Sequence, residues 1–195
     1  MNGRAHRHIA IELKSSYAPS SWLYHRRSRC GAFRVAHGRR ERIAMTKIGI
    51  ISDTHGLLRP EVVERLKTCD AILHAGDVNR PEILDALRAV VPLCVVRGNN
   101  DKDWAENLPH SLTVELDGVR FFMIHNKRDL PKDLDDAQVV VFGHSHKYFE
   151  QTIDGRLWIN PGSCGKRRFD QEISFAVLHI DGGAWHVEKI VLPNA

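Results

Sequence analysis

The strongest constraint on this chain of 195 residues is a rhythm that starts near residue 45. Short apolar runs of strand length alternate with amphipathic helical segments, then give way to paired runs joined by Asp-Gly. Lys47–Ser52, Ala71–His74 and Leu93–Arg97 are the first three apolar runs, and their continuous apolar character is that of strands covered on both faces. Between them lie Pro60–Lys67, with Val62, Val63 and Leu66 on one face, and Pro81–Arg88, with Ile83, Leu84 and Leu87 on one face. Each opens on a proline suited to the first helical position. This β-α-β-α-β order predicts parallel strands with right-handed crossovers. Further on, Leu112–Leu116 and Val119–Ile124 flank Asp117-Gly118, Tyr148–Ile153 and Leu157–Asn160 flank Asp154-Gly155, and Ser174–Ile180 and Trp185–Val191 flank Asp181-Gly182-Gly183. These are hairpin signals. Val139–Phe142 reads as one more buried strand and Leu130–Leu134 as a short helix. Parallel units followed by hairpins predict an α/β sandwich, two mixed sheets packed face to face with helices outside.

Residues 1–44 lie outside this rhythm. They carry ten Lys and Arg against Glu12 and Glu41, whereas the other 151 residues carry 18 basic and 22 acidic side chains. The overall charge of +4 therefore belongs to the leader, and the body is acidic on balance, which argues against nucleic acid as a partner of the folded part. For the leader, an extension without fixed structure or an upstream start assigned in error is expected, with Met45 as the true start. A basic nucleic-acid-binding arm and an Arg- and Ser-rich organelle transit peptide are the alternatives. The folded domain is expected to span residues 45–195. No apolar run approaches the roughly 20 residues that cross a bilayer, and Cys30, Cys69, Cys94 and Cys164 show no C-x-x-C spacing. A cytoplasmic protein with reduced thiols, and no membrane partner, is expected. A homo-oligomer is left open.

Five of the apolar runs end in residues with metal-binding side chains: Asp53 and His55, Asp77, Asn99, His125, and His144 and His146. Carboxyl ends of strands are where α/β folds gather their ligand sites. Gly76, Gly98 and Gly143 directly precede three of these segments and allow close backbone approach. Two carboxylates, four imidazoles and one amide make the mixed oxygen and nitrogen set suited to a pair of divalent transition metals. Such pairs sit about 3.5–4 Å apart, clamp both oxygens of an in-line displacement at phosphorus, and lower the pKa of bound water towards about 7. In D-x-H and H-x-H, side-chain alternation along an extended chain would turn both ligands to one side. Asp77 is the natural bridging carboxylate. Two divalent ions outweigh two carboxylates and a hydroxide, so the cluster would attract an anionic ester.

The ordered set D-x-H, G-D, G-N-x-D, a lone His and G-H-x-H, followed by Asn160-Pro161-Gly162-Ser163, resembles the calcineurin-like metallophosphoesterases, and within them the small YfcE-type phosphodiesterases, over residues 46–192. The resemblance implies a four-layer αββα sandwich. It also implies one metal held by Asp53, His55, Asp77 and His146, and a second held by Asp77, Asn99, His125 and His144. Mn²⁺ is the expected ion, with Ni²⁺, Zn²⁺ or Fe²⁺ as alternatives. The implied activity is hydrolysis of phosphodiesters by a metal-bridging hydroxide, with Asp77, Asn99 and Asn100 around the reacting ester and a small phosphate ester as substrate. Phosphomonoesterase or nucleotide pyrophosphatase activity on the same centre is the alternative within enzymes. A protein-interaction scaffold with a vestigial site, like the retromer subunit of this fold, is the alternative outside them.

Two departures from the family pattern stand out. Asn100 occupies the place where many members carry a histidine beside the leaving group, and an amide does not deliver a proton as imidazole does. Asn126-Lys127-Arg128 follows His125 where Gly-His is common, which puts Lys127 or Arg128 near the rim. His74 reads as a satisfied core histidine rather than a group supporting the metals. Cys164 is not needed as a nucleophile. His110, His179 and His186 read as surface or packing residues, and Trp104, Trp158 and Trp185 as core or interface residues rather than base-stacking ones. Lys166, Arg167 and Arg168 are either phosphate-binding or a solvated turn.

Overall fold

A computed structural model describes Glu12–Leu13 and residues 45–134, 136–168 and 170–193; the expectations for the leader otherwise lie outside the described residues. Glu12–Leu13 form strand β1. They are followed by β2 (Thr46–Ile51), α1 (Pro60–Leu66), β3 (Ala71–His74), α2 (Pro81–Arg88), β4 (Leu93–Val95), β5 (Ser111–Leu116) and β6 (Val119–Ile124), and then by β7 (Val139–Val141), β8 (Tyr148–Ile153), β9 (Arg156–Pro161), β10 (Ile173–Asp181) and β11 (Ala184–Leu192). One sheet has the order β1-β5-β6-β7-β9-β8 and the other β11-β10-β2-β3-β4.

Both sheets are mixed. β2, β3 and β4 are parallel, with Ile50 opposite Leu73 and Leu73 opposite Cys94, and β10 and β11 add antiparallel strands beside β2. In the other sheet β6, β7 and β9 are parallel, with β5 and β8 antiparallel beside them. The hairpin turns form where Asp-Gly predicts them. Asp117 and Gly118, and likewise Asp154 and Gly155, all have positive φ, the conformation that matches the twist of the joined strands.

Side-chain alternation sorts the core into layers. Ile48, Ile50, Leu73, Phe121, Met123, Val141, Ile159 and Leu178 fill the space between the sheets. On the outer face of the five-stranded sheet, Val62 and Leu66 of α1 and Ile83, Leu84 and Leu87 of α2 pack on Ile51, Ile72, Phe175 and Val177. On the outer face of the other sheet, Leu134 and Ala137 cover Phe122, Ile124, Val140 and Phe142. The covering segment there contains one 3-10 turn, Lys127–Asp129. The helix expected over Leu130–Leu134 does not form. Leu130 has ψ 134°, because the ring of Pro131 clashes with a helical conformation in the residue before it. Among the described residues, no helix is long and apolar enough to cross a membrane.

The consequence for function is an edge. The carboxyl ends of the parallel strands of both sheets converge there, and backbone bonds lace the loops together. Asp53 N donates to Gly76 O (3.0 Å), Gly143 N to His125 O (2.9 Å) and Cys164 N to Ser52 O (3.3 Å).

Candidate metal centre

All seven predicted ligand residues meet at this edge in one continuous chain of contacts. His146 Nε2 lies 3.2 Å from Asp53 Oδ1, and His55 Nε2 lies 3.5 Å from the same oxygen. The two Nε2 atoms are 3.0 Å apart. Asp77 Oδ2 stands between His55 Nε2 (3.8 Å) and His125 Nε2 (3.4 Å). Asn99 Oδ1 lies 3.0 Å from His125 Nε2 and 2.9 Å from His144 Nδ1. Asp53, His55 and His146 form one group with ligand atoms within 4.8 Å of one another, and Asp53, Asp77 and His125 form another.

The convergence has a different local origin from the one expected. Asp53 and His55 lie beyond the end of β2, at φ 55° and 46°, and His144 and His146 lie beyond β7, at φ 68° and 58°. These are left-handed conformations, so kinks in the chain, rather than alternation along an extended strand, turn the paired side chains inward. Asp77 is the same, at φ 59°. The loops need glycine at their tightest points. A Cβ on Gly143 would overlap the Ser52 hydroxyl and come 2.8 Å from Asp53 Oδ2, and one on Gly98 would overlap the backbone and carboxylate of Asp77.

The hydrogen-bond pattern leaves acceptors facing one another. His125 Nδ1 donates to the carbonyl of Ala75 (2.7 Å), so the neutral ring turns the Nε2 lone pair towards Asn99 Oδ1 and Asp77 Oδ2. Asp53 Oδ2 accepts from Ser52 Oγ (2.7 Å) and His144 N (3.1 Å), but the buried Oδ1 of Asp53 has no hydrogen-bond partner. An unpaired carboxylate oxygen in this setting is costly unless a cation sits beside it. The donor set therefore fits divalent metal. The two carboxylates are held in their charged form, which suits a neighbouring cation. Burial pushes the Asp53 carboxyl up, yet the imidazoles of His146 and His55 outweigh burial and hold it well below the carboxylate range. Burial likewise pushes the Asp77 carboxyl up, and the His125 and Asn100 contacts override it. Burial pushes the His125 imidazole down, and Asp77 and Asp53 more than reverse this, so it ends raised.

A second ring of residues holds the first. The carboxylate of Asp101, 2 % exposed, accepts from three backbone amides: Asp77 N (3.0 Å), Gly98 N (2.8 Å) and Asn79 N (2.7 Å). Asp101 closes the G-N-x-D segment, where its residue type alone does not set it apart from an acidic turn residue. Asn100 donates to Asp77 from its backbone (2.8 Å, Oδ1) and from its side-chain amide (2.6 Å, Oδ2). Asn160 donates to Gly143 O (2.7 Å) and Ser145 Oγ (3.1 Å), steadying the loop that carries His144 and His146. His74 is fully buried and satisfied. Its Nδ1 accepts from Gly76 N and its Nε2 donates to Thr54 Oγ1, and burial lowers its pKa to about 4. Cys164 is buried with its thiol pushed up to about 12 by burial, which suits packing. Lys127 lies over the rings of Phe142 (5.7 Å) and Phe149 (5.5 Å). Lys166, Arg167 and Arg168 are exposed and follow Gly165, whose carbonyl accepts from Arg59 Nε at 3.0 Å.

Residues 46–183 match the family model described as calcineurin-like phosphoesterase superfamily domain. A probable metallophosphoesterase of Methanothermobacter thermautotrophicus is 35 % identical over 158 residues, covering 73 % of this chain and 91 % of the relative. A phosphodiesterase of Methanocaldococcus jannaschii is 29 % identical over 140 residues, covering 60 % of this chain and 84 % of the relative. Among solved structures, the phosphoesterase YfcE from E. coli superposes with a TM-score of 0.56 at 25 % identity, covering 68 % of this chain and 88 % of that one.

Proposed function

This chain belongs to the calcineurin-like phosphoesterase superfamily, and we propose that it is a cytoplasmic phosphodiesterase whose catalytic domain spans residues 45–195 and uses two divalent metals, Mn²⁺ first among them. One observation carries the reading: Asp77 Oδ2 stands between His55 and His125, and beside them the buried Oδ1 of Asp53 has no hydrogen-bond partner. Asp53, His55, Asp77 and His146 would hold one ion, and Asp77, Asn99, His125 and His144 the other. When bound, the ions supply a water of lowered pKa and positive charge at the phosphoryl oxygens.

The protein's own groups do the rest. Asp101 and Asn100 fix the loop and carboxylate of Asp77, so the bridging position is set before substrate arrives. Asn160 fixes the turn that presents His144 and His146. Asn99 and Asn100 border the place of the ester, and neither carries a proton for the leaving group. Substrates with good leaving groups are therefore favoured. The phosphodiesterase name of the archaeal relative favours diesters over monoesters.

Hydrolysis of bis-p-nitrophenyl phosphate by metal-stripped protein, with and without added Mn²⁺, tests this. Metal-dependent turnover that disappears in Asp77→Ala is the expected result. A folded protein inactive with Mn²⁺, Ni²⁺, Zn²⁺ and Fe²⁺ would overturn it and leave the interaction scaffold.

A further inference from the structure

The loops that carry the metal ligands continue, side by side, into a second feature. His55 N donates to Asp77 O (3.0 Å) and Gly56 N to Val78 O (2.9 Å), so the segments after the two ligands run together away from the centre. They open into a cleft of about 580 Å³ between the 56–58 loop and the start of α2. Gly56 adjoins His55, and Arg80 lies three residues after Asp77, a span of at most about 10 Å of chain. The cleft thus borders both ligand segments, within the span of a nucleotide-sized molecule.

Leu58, Ile83 and Ala86 give the cleft apolar walls, and Arg80 and Glu82 give it one charge of each sign. The cleft is open to solvent rather than enclosed, and its volume lies within the range of small-molecule sites. The Arg80 side chain is exposed and lies along Gly56. Gly56 has φ 76°, and a Cβ there would come 3.2 Å from Arg80 Nε, so the arginine side chain lies across the glycine backbone. Among the described residues no hydrogen bond or ion pair engages its guanidinium.

We propose that this cleft seats the nucleoside substituent of a phosphodiester whose phosphate lies at the metal centre; the proposal rests on the phosphodiesterase reading above. The apolar walls take the face of a flat ring. The Glu82 carboxylate accepts from ribose hydroxyl or base amino groups, and Arg80 donates to a base carbonyl or to the phosphate itself. A plain alkyl substituent would leave both charges unmatched, and a second anionic group would be repelled by Glu82.

Two substrates with a common leaving group read the cleft: thymidine 5′-(p-nitrophenyl phosphate) and methyl p-nitrophenyl phosphate, each with the Mn²⁺-loaded full chain. The expected kcat/KM favours the nucleoside ester by about tenfold or more, the worth of one charge-assisted contact. Arg80→Ala, and Ala86→Trp, which fills the cleft from an exposed helical position, should each collapse this ratio towards one. Equal kcat/KM in the unaltered protein, or a ratio untouched by both substitutions, overturns the proposal. A binding measurement stands apart from turnover. Thymidine 5′-phosphate should shift the amide resonances of Gly56, Leu58 and Ala86 saturably, and Ala86→Trp should abolish the Gly56 and Leu58 shifts. Absence of those shifts overturns the cleft assignment whether or not the enzyme turns over. Loss of turnover on both esters with the shifts intact overturns the phosphodiesterase reading alone.

Discussion

Removing the carboxylate of Asp101 should both destabilise the domain and loosen the metal centre. That carboxylate accepts from the amides of Asp77, Asn79 and Gly98 at 2.7–3.0 Å, and only 2 % of the residue is exposed. In Asp101→Ala three N–H groups lose their acceptor. Each buried orphan costs about 1–3 kcal/mol; taking the low end, because water will reach some of them, the sum is about 3 kcal/mol. In a domain of this size about 1 kcal/mol moves Tm by roughly 2–4 °C, so a fall of about 6–12 °C is expected. Thermal unfolding by circular dichroism in chelator reads this without any contribution from bound ions. Asp101→Asn keeps one oxygen and sets its NH₂ against an N–H, so it should lose roughly half as much. Because the same amides fix Asp77, Mn²⁺ affinity by calorimetry should fall about 10–100-fold, the usual effect of losing an outer support. A Tm within 2 °C of the unaltered protein would refute the reasoning, since the three amides would then have found other partners.

Other outcomes follow from the same geometry. Burial holds His74 near 4, below its usual 6.5, so as pH falls the unfolded chain binds the proton first. Stability of the chelated protein, present above pH 6.5, should drop on the order of 3 kcal/mol between pH 6.5 and 4, and His74→Gln should flatten that part of a urea-midpoint profile. Gly143→Ala forces a methyl onto Ser52 and Asp53. It should cost about 1–3 kcal/mol of overpacking and weaken Mn²⁺ binding in the same calorimetric titration. Because Asn100 offers no proton, kcat/KM for p-nitrophenyl diesters should exceed that for alkyl diesters by more than in a relative with histidine there, by about 10²–10⁴; equal rates on the two ester classes would contradict this.

The fold was legible wherever one local signal ruled. β3 and β6 lie at the very residues expected because burial leaves little freedom in such apolar runs; α2 follows from its apolar stripe, and β8, largely exposed, from the Asp154-Gly155 turn that pairs it with β9. Asp-Gly placed the hairpins because few other pairs tolerate two successive positive φ values. At Leu130–Leu134 two local signals compete, apolar spacing and Pro131, and the proline's constraint on Leu130 prevails. The candidate ligand side chains are named by type and order, and the structure brings all seven to one edge. Asp101 was not legible, because a carboxylate that serves backbone amides looks, in sequence, like any acidic turn residue. Neither could sequence show the cleft beside α2, which needs Gly56 and Arg80 brought together across the ends of two strands.

The backbone at the site adds an argument that side chains alone do not supply. Five of the seven ligand candidates, Asp53, His55, Asp77, His144 and His146, hold φ between 46° and 68°. Each left-handed residue other than glycine costs roughly 1–2 kcal/mol, so a chain selected for stability alone would place glycine at these points. Glycine is instead placed just before two of them, at 76 and 143, where there is no room for a side chain. The strained positions keep a metal-binding group each, and Asp, Asn and His are the residue types that tolerate this conformation best. At four of the five the strain is held by a bond from outside the kink: Asp53 N donates to Gly76 O, His55 N to Asp77 O, Asp77 N to the Asp101 carboxylate and His144 N to Asp53 Oδ2. Local strain maintained by surrounding structure is the pattern of a functional site. Here it falls on the same residues that the side-chain chemistry selects independently.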